Sequence, residues 1–473
     1  MTHKISPAQT WWTFAITSTA LFMTTLDNLV VTTAIPVIHR DLHAGLSGLE
    51  WTVNAYTLTF AVLLLTGAAL GDRFGRRRLF VFGIALFTAA SAAAALSPTI
   101  GALDIARAVQ GVGGAIVTPL TLTILSAAVP AERRGVFLGA WGGISGLAVA
   151  FGPLVGGAVV DGLSWHWVFW LNVPVGLVLL PLALTRLEET KGPNASVDLP
   201  GLVLASGGLF GIVWALVRGN SVGWGSPEIV GAIVAGAVVL AAFVAWELRA
   251  EHPMLPMHFF RGRTFALANA ASMLMSFGMF GSIFLLAQYF QTIQHATPLN
   301  SGLRILPWTA MPMIIAPIAG ALSDRIPASR IIGTGLALQA IGLGWMAAVG
   351  TPTLGYWSFV APFMISGAGM GMFFAPIANV VLGSVRPEQE GQASGANNAI
   401  RELGGVLGVA VLASVFAHYG GYRTPVTYVN GMNAAVWIGA AVVAVGSLAA
   451  FAIRHRPSRT TVVELEPALE NAA

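Results

Sequence analysis

The feature that most constrains this chain is a succession of apolar runs, each long enough to cross a bilayer and separated by short polar turns. They fall at about residues 11–36, 51–70, 79–97, 101–127, 136–160, 165–185 and 199–218. They continue at about 227–247, 264–290, 302–322, 331–349, 355–382, 392–417 and 430–453. With 56% hydrophobic residues, 9% charged residues and a mean hydropathy of +0.76, no water-facing core could bury so much apolar surface. The expectation is an all-α membrane protein with fourteen spanning helices. The first run is too long, and wrongly flanked, to be a cleaved signal peptide. Without cysteine, the chain has no disulfide, thiolate metal site or cysteine nucleophile.

The polar turn Gly71-Asp72-Arg73-Phe74-Gly75-Arg76-Arg77-Arg78 is the densest positive cluster in the sequence. Basic turns stay on the cytoplasmic side. If fourteen spans begin and end there, the inside segments carry eighteen Lys and Arg residues, against two to four outside. Both termini are therefore expected in the cytoplasm of a cell-membrane protein. The formal charge of +4 is topological, so no nucleic-acid partner is expected.

An internal repeat is also legible. Ala321-Leu322-Ser323-Asp324-Arg325 repeats Ala69-Leu70-Gly71-Asp72-Arg73 at an offset of 252. Pro119, Pro130, Glu132 and Gly135 recur as Pro376, Pro387, Glu388 and Gly391 at an offset near 257. Two six-helix bundles in the same orientation, 11–185 and 264–453, are expected. An inserted helix pair would occupy 199–247, a cytoplasmic linker 248–263 and a cytoplasmic tail 454–473.

Few polar groups interrupt the apolar runs, and intramembrane ionisable residues are functional candidates by default. Asp27 lies about 24 Å along the first run, at ~1.5 Å per residue. In the fourth run, Asp104 and Arg107 are three apart and could neutralise each other, while Arg107 and Gln110 are candidates to face a cavity. The sequence Gly111-Val-Gly113-Gly114-Ala115 is no dinucleotide loop, because no strand precedes it. Arg401 and Glu402 are adjacent and point about 100° apart, so an ideal pair between them is not expected. Glu402 is instead a second proton or cation candidate. Asn28 and Asn54 join these residues as candidates for proton coupling or substrate contact. In the fifth run, Gly152, Pro153, Gly156 and Gly157 provide a helix break and a close-packing surface.

The turn at Gly71–Arg78 resembles the loop between the second and third helices of the major facilitator superfamily. The Gly-Pro-x-x-Gly-Gly stretch at Gly152–Gly157 resembles the motif of that superfamily's antiporters, generally lacking in its symporters. With Asp161–Gly176 and Asp198-Leu-Pro-Gly201, the chain resembles the fourteen-helix drug:proton antiporters. It departs from them at His166, where Arg is usual, at Glu50, where Gln is common, and at Ala68, where Gly often stands.

The resemblance implies a major facilitator fold and a monomeric, cofactor-free carrier rather than an enzyme. Its expected function is proton-driven export of hydrophobic drugs or antibiotics, cationic ones included, by alternating access. Asp27 would carry the proton. Asp72, Arg73, Gly75 and Arg76, with Asp324 and Arg325 in the second copy, would form the conformational gate. A dedicated exporter of one metabolite or antibiotic is the alternative. A proton-coupled solute symporter is disfavoured by the Gly152–Gly157 motif, and an enzyme or receptor by the repeat.

Overall fold

Proline and hydroxyl residues mark where the helices of the computed structural model begin. Thr99, Ser226, Thr297 and Thr424 each accept a hydrogen bond from a backbone N–H in the following turn, and Pro227, Pro298 and Pro425 take first-turn positions. The structure describes residues 7–130, 134–191, 198–323, 325–386 and 389–453. Helices are the only regular elements among the described residues.

The first helices are α1 (Pro7–Asp41), α2 (Leu46–Phe74), α3 (Arg76–Ala95), α4 (Ile100–Ala128) and α5 (Arg134–Gly162). The short α6 (His166–Trp170) precedes α7 (Asn172–Arg186), and α8 (Leu199–Val222) precedes α9 (Pro227–Glu247). A 3-10 turn over Met257–Arg261 leads to α10 (Arg263–Thr292) and α11 (Pro298–Leu322). The remaining helices are α12 (Ala328–Val349), α13 (Trp357–Leu382), α14 (Glu390–Tyr419) and α15 (Pro425–Phe451).

Among the described residues, twelve spans are long and apolar enough to cross a membrane, thirteen if α2 is counted despite its 52° bend between Leu64 and Thr66. The chain is thus a multi-pass helical membrane protein, with twelve or thirteen such spans among the described residues against the fourteen expected. Several helices extend beyond the apolar runs. α1 reaches Asp41 and α2 begins at Leu46, because polar residues at a span's ends remain helical in the interfacial region. The run at 165–185 is divided into α6 and α7 at Leu171.

Packing partners repeat along the chain. α1 packs on α5, and α2 and α3 pack on α4; correspondingly, α10 packs on α14, and α11 and α12 pack on α13. The first set meets the second through α5 on α11, α2 on α14 and α1 on α10. α8 and α9 pack on each other, with α8 also resting on α2 and α14. Asp198 fastens α8 to α9, its Oδ1 accepting from the Gly201 N–H and the Trp246 indole, both at 2.8 Å, and its Oδ2 accepts from the Met254 N–H of the following linker at 3.4 Å. Glu247 Oε2 accepts from the Leu255 N–H at 2.9 Å.

The α2–α3 turn lies at one end of the molecule. The α1–α2, α5–α6, α10–α11 and α14–α15 turns lie at the other, here called the far end. At the far end the two halves touch closely. A Cβ on Gly157 of α5 would stand 2.3 Å from the Pro298 carbonyl oxygen of α11, and one on Gly302 would stand 2.2 Å from the Pro153 carbonyl oxygen. Gln291 of α10 donates to the Thr33 carbonyl of α1 at 2.8 Å.

Candidate functional site

Asp27 is on the inward face of α1, fully enclosed with Arg107 and Gln110 from α4. Arg107 Nη1 donates to Asp27 Oδ2 at 2.5 Å and to Gln110 Oε1 at 2.7 Å. Gln110 Nε2 donates to Asp27 Oδ1 at 2.8 Å, and Asn172 Nδ2 from α7 donates to the same oxygen at 2.7 Å. Both amides also reach Ser91 Oγ of α3, at 3.2 and 3.0 Å. Ser91 in turn donates to the Phe169 carbonyl at 2.9 Å. Four helices thus converge on one carboxylate, with α2 contributing the Thr52 carbonyl that receives Arg107 Nε at 3.1 Å.

The electrostatic logic follows from burial. An isolated charge in this interior would be very costly, but each oxygen of Asp27 is matched by a cation or an amide. The Arg107 guanidinium also lies over the Tyr56 ring, 4.2 Å from its centroid. Its Nη2 alone has no hydrogen-bond partner. Asp104 is not the partner of Arg107: it accepts a 2.9 Å hydrogen bond from Thr52 Oγ1. Spacing of three along a helix permitted that pair, but the enclosed Asp27 provided the competing carboxylate for Arg107.

The other polar candidates are distributed around this centre. Asn54 is fully buried with both side-chain polar atoms unpartnered, and half-buried Asn28 has an unpartnered Oδ1. Arg401 Nη2 reaches Glu402 Oε1 at 3.2 Å, a single contact rather than a face-to-face pair. Long side chains curl back over the helix surface and close a gap that the backbone directions open. Glu402 remains buried, and its Oε2 has no partner.

Ser91 and Asn172 were not singled out from sequence. The available signal was a single polar residue at a buried position in an otherwise apolar stretch, most visibly Asn172 before Val-Pro-Val.

A sequence model of the Major Facilitator Superfamily matches residues 17–409, with a second match over 266–470. The chain belongs to the Major Facilitator Superfamily. It is 33% identical to the tetracenomycin C resistance and export protein of Streptomyces glaucescens, over 86% of this chain and 76% of that protein. It is 35% identical to the multidrug resistance protein Stp of Mycobacterium tuberculosis, over 86% and 75% of the respective chains. For the puromycin resistance protein of Streptomyces alboniger the identity is 34%, over 86% and 81%.

In this superfamily member the polar α2–α3 turn is braced within the first half. Arg76 Nε meets Asp72 Oδ1 at 2.8 Å. Glu189, following α7, accepts from the backbone N–H groups of Arg77 and Arg78 at 3.0 and 3.3 Å, capping α3. Gly75 adopts φ +110°, a conformation unfavourable for any residue with a Cβ, and a Cβ there would also press on Glu189. Arg73 is exposed beside Phe74. Arg325 is exposed, and Asp324 lies outside the described residues.

The α5 glycines divide their contacts. A Cβ on Gly152 would meet Leu29, and one on Gly156 would meet Thr33 Oγ1 and the Val30 carbonyl, all on α1. Only Gly157 faces α11. Pro153 lies inside α5, and its carbonyl oxygen is the atom that Gly302 approaches.

Proposed function

We propose that this protein is a proton-coupled antiporter that exports hydrophobic antibiotic-like compounds, cationic ones included, across the cell membrane. The observation that carries the reading is the buried Asp27–Arg107 ion pair, held by two amides at the meeting point of apolar helices. An ion pair in such a place can be opened by one proton. Protonating Asp27 removes the charge that holds Arg107, while the Gln110 and Asn172 amides still have an acceptor. Releasing the proton restores the pair. The two arrangements provide a two-state element that a proton and a substrate can bias in opposite directions.

On this reading fourteen helices form two six-helix bundles, with α8 and α9 as the inserted pair and both termini cytoplasmic. The tight α5–α11 approach at the far end corresponds to closure toward the outside. Asp72, Arg73, Gly75 and Arg76, with Asp324 and Arg325, would rearrange when the opposite end closes. Asn28, Asn54, Arg401 and Glu402 provide polar groups along the substrate route, with Glu402 suited to a cationic compound. The antibiotics named for the relatives support an amphiphilic substrate. Because two of those names specify a single antibiotic, a dedicated exporter is the second reading.

The test combines two measurements on reconstituted protein. Vesicles with an imposed pH gradient are assayed for uphill transport of ethidium and of a panel of antibiotics. Purified protein is assayed for proton release on substrate addition. Uphill transport with proton release, both lost in Asp27→Asn, supports the proposal. Uphill transport that persists in Asp27→Asn removes Asp27 as the coupling residue. A panel in which one compound alone is transported favours the dedicated exporter.

A further inference from the structure

A second carboxyl group is buried where the two halves meet. Glu50, Asn54, Leu58 and Val62 recur every four residues along α2, which places them on one face. Leu58 and Val62 share one apolar cluster with Val406 and Ala410 of α14, which packs on α2, and with Ala205 and Val213 of α8, so Glu50 stands on this seam nearer the far end. Glu50 is 2% exposed and its Oε2 has no hydrogen-bond partner. Asn54, one turn away, lacks partners at both polar atoms. Among the described residues, no ion pair neutralises Glu50.

Most polar and charged groups around it are engaged elsewhere, and Arg423, beside Tyr422, is exposed. From the α14–α15 connection comes Tyr422, whose hydroxyl donates to Gln288 Oε1 of α10 at 2.5 Å. The Tyr422 ring stacks on His39 of α1, with centroids 5.6 Å apart. His39 is engaged through Nδ1 with the Ala44 carbonyl at 2.5 Å. Burial, and secondarily the Glu50 carboxyl, push the Tyr422 hydroxyl up from its ordinary value. On α1, Arg40 turns back to the Pro36 carbonyl and Asp41 accepts from the Trp165 indole. On α4, Asp104 and Arg107 are held by Thr52. Arg218 of α8 pairs with Glu228, and Glu402 of α14 pairs with Arg401. His418 lies near the end of α14.

We propose that Glu50 is a proton-operated lock on the far-end seam, neutral while α2 and α14 are closed and ionised when they part. An ionised carboxylate without a cation would be costly in this seam, whereas a neutral acid is tolerated. Opening brings Glu50 to water, which accepts the proton. Reclosure takes a proton from the same face. Glu50 is thus a second titrating site, separate from Asp27, and it senses the compartment beyond the far end. The inference rests on the alternating-access reading, but its signal is a conformational equilibrium that needs no substrate.

The sign follows from which state holds the proton. Closure binds one proton, so acid favours the closed seam and base favours the open one. Between the titration of exposed Glu50 and that of buried Glu50, the open-to-closed ratio rises about tenfold per pH unit.

The sequence has no cysteine, so Arg40→Cys and Arg423→Cys introduce a unique label pair at two exposed positions flanking the seam. Spin-label distances are read in lipid nanodiscs from about pH 5 to about pH 9, a series that brackets neutrality on both sides. The label pair alone is expected to gain its long-distance population with rising pH. Glu50→Gln is expected to stay at the short distance throughout, and Glu50→Asp to keep a pH response. A flat response in the label pair alone, a flat Glu50→Asp, or an undiminished response in Glu50→Gln overturns the proposal. Loss of export with this pH response intact counts against the exporter reading and leaves the lock standing.

Discussion

Asn172 and Asp27 are 145 positions apart in the chain, yet the Asn172 amide lies 2.7 Å from Asp27 Oδ1. The same amide reaches Ser91 Oγ, so one side chain at the start of α7 ties α1 to α3. The buried ion pair is consequently oriented by neutral groups that keep their hydrogen-bonding capacity whether Asp27 is charged or protonated.

Removing that orientation should have a measurable structural cost. Asn172→Ala is expected to lower stability by about 1–3 kcal/mol, the usual consequence of stranding a buried polar partner. It should also displace the pH profile of transport, because Asp27 loses a donor to its charged form. Thermal melting in detergent and transport rates across a pH series check the two effects. Asn172→Asp would place a second carboxyl beside Asp27 and should likewise displace the profile. A profile unchanged in both variants would make Asn172 only a packing residue.

Asp27→Asn preserves size and hydrogen bonding but removes the titrating group. Proton-driven accumulation is expected to disappear while slow downhill exchange of substrate continues. Asp27→Ala should be more damaging to the fold, by about 3–5 kcal/mol, because it leaves Arg107 as an uncompensated buried charge. Melting curves for Asp27→Ala and the Asp27→Ala/Arg107→Met double variant test this directly. Recovery of stability in the double variant is the expected outcome.

Gly156 and Gly157 are adjacent but have different neighbours, and their variants should fail differently. Gly156→Leu drives a branched side chain into the α1 backbone and is expected to lower thermal stability. Gly157→Ala meets Pro298 and Leu299 of α11 and should loosen the contact between the halves instead. Distances between labels on α5 and α11 are expected to lengthen in Gly157→Ala with little change in melting. If Gly156→Leu melts like the unaltered protein, the close α1–α5 approach is not a stability determinant.

Asp72→Asn removes the partner of Arg76 in a partly exposed turn. The stability effect should be small, within about 1 kcal/mol, as for other solvent-screened pairs. Transport is expected to fall more than stability does, through a changed balance between the two end-open states. Label distances across the α2–α3-turn end, with expression measured in parallel, check this. Distances indistinguishable from those of the unaltered protein would remove Asp72 from the gate.

Much of the architecture was legible because transfer of an apolar segment into a bilayer is a local property, additive along the chain. The length of the apolar runs and the scarcity of intervening charge therefore disclosed the helical membrane class. The repeated Ala-Leu-x-Asp-Arg segment begins near the ends of α2 and α11, which pack on α4 and α13 respectively. Asp27, Arg107 and Gln110 stood out because ionisable and amide groups are rare in such runs.

Which groups meet was a matter of tertiary geometry. Sequence spacing permitted Asp104 as a partner of Arg107, whereas packing of α1 on α4 supplied Asp27. Ser91 and Asn172 carried no charge to mark them, and only the convergence of α3 and α7 brought them to the carboxylate. The approach of α5 to α11 selected Gly157 as the contact between halves, while Gly152 and Gly156 serve α1. Glu50 is an ordinary acid near a predicted span end until the α2–α14 seam and Tyr422 close over it. Hydropathy and periodicity express the preference of each segment for its surroundings, so the sequence determined the helices and their rare polar positions. Pairing energies depend on distance and desolvation between segments remote in sequence, so only the assembled structure decided the network.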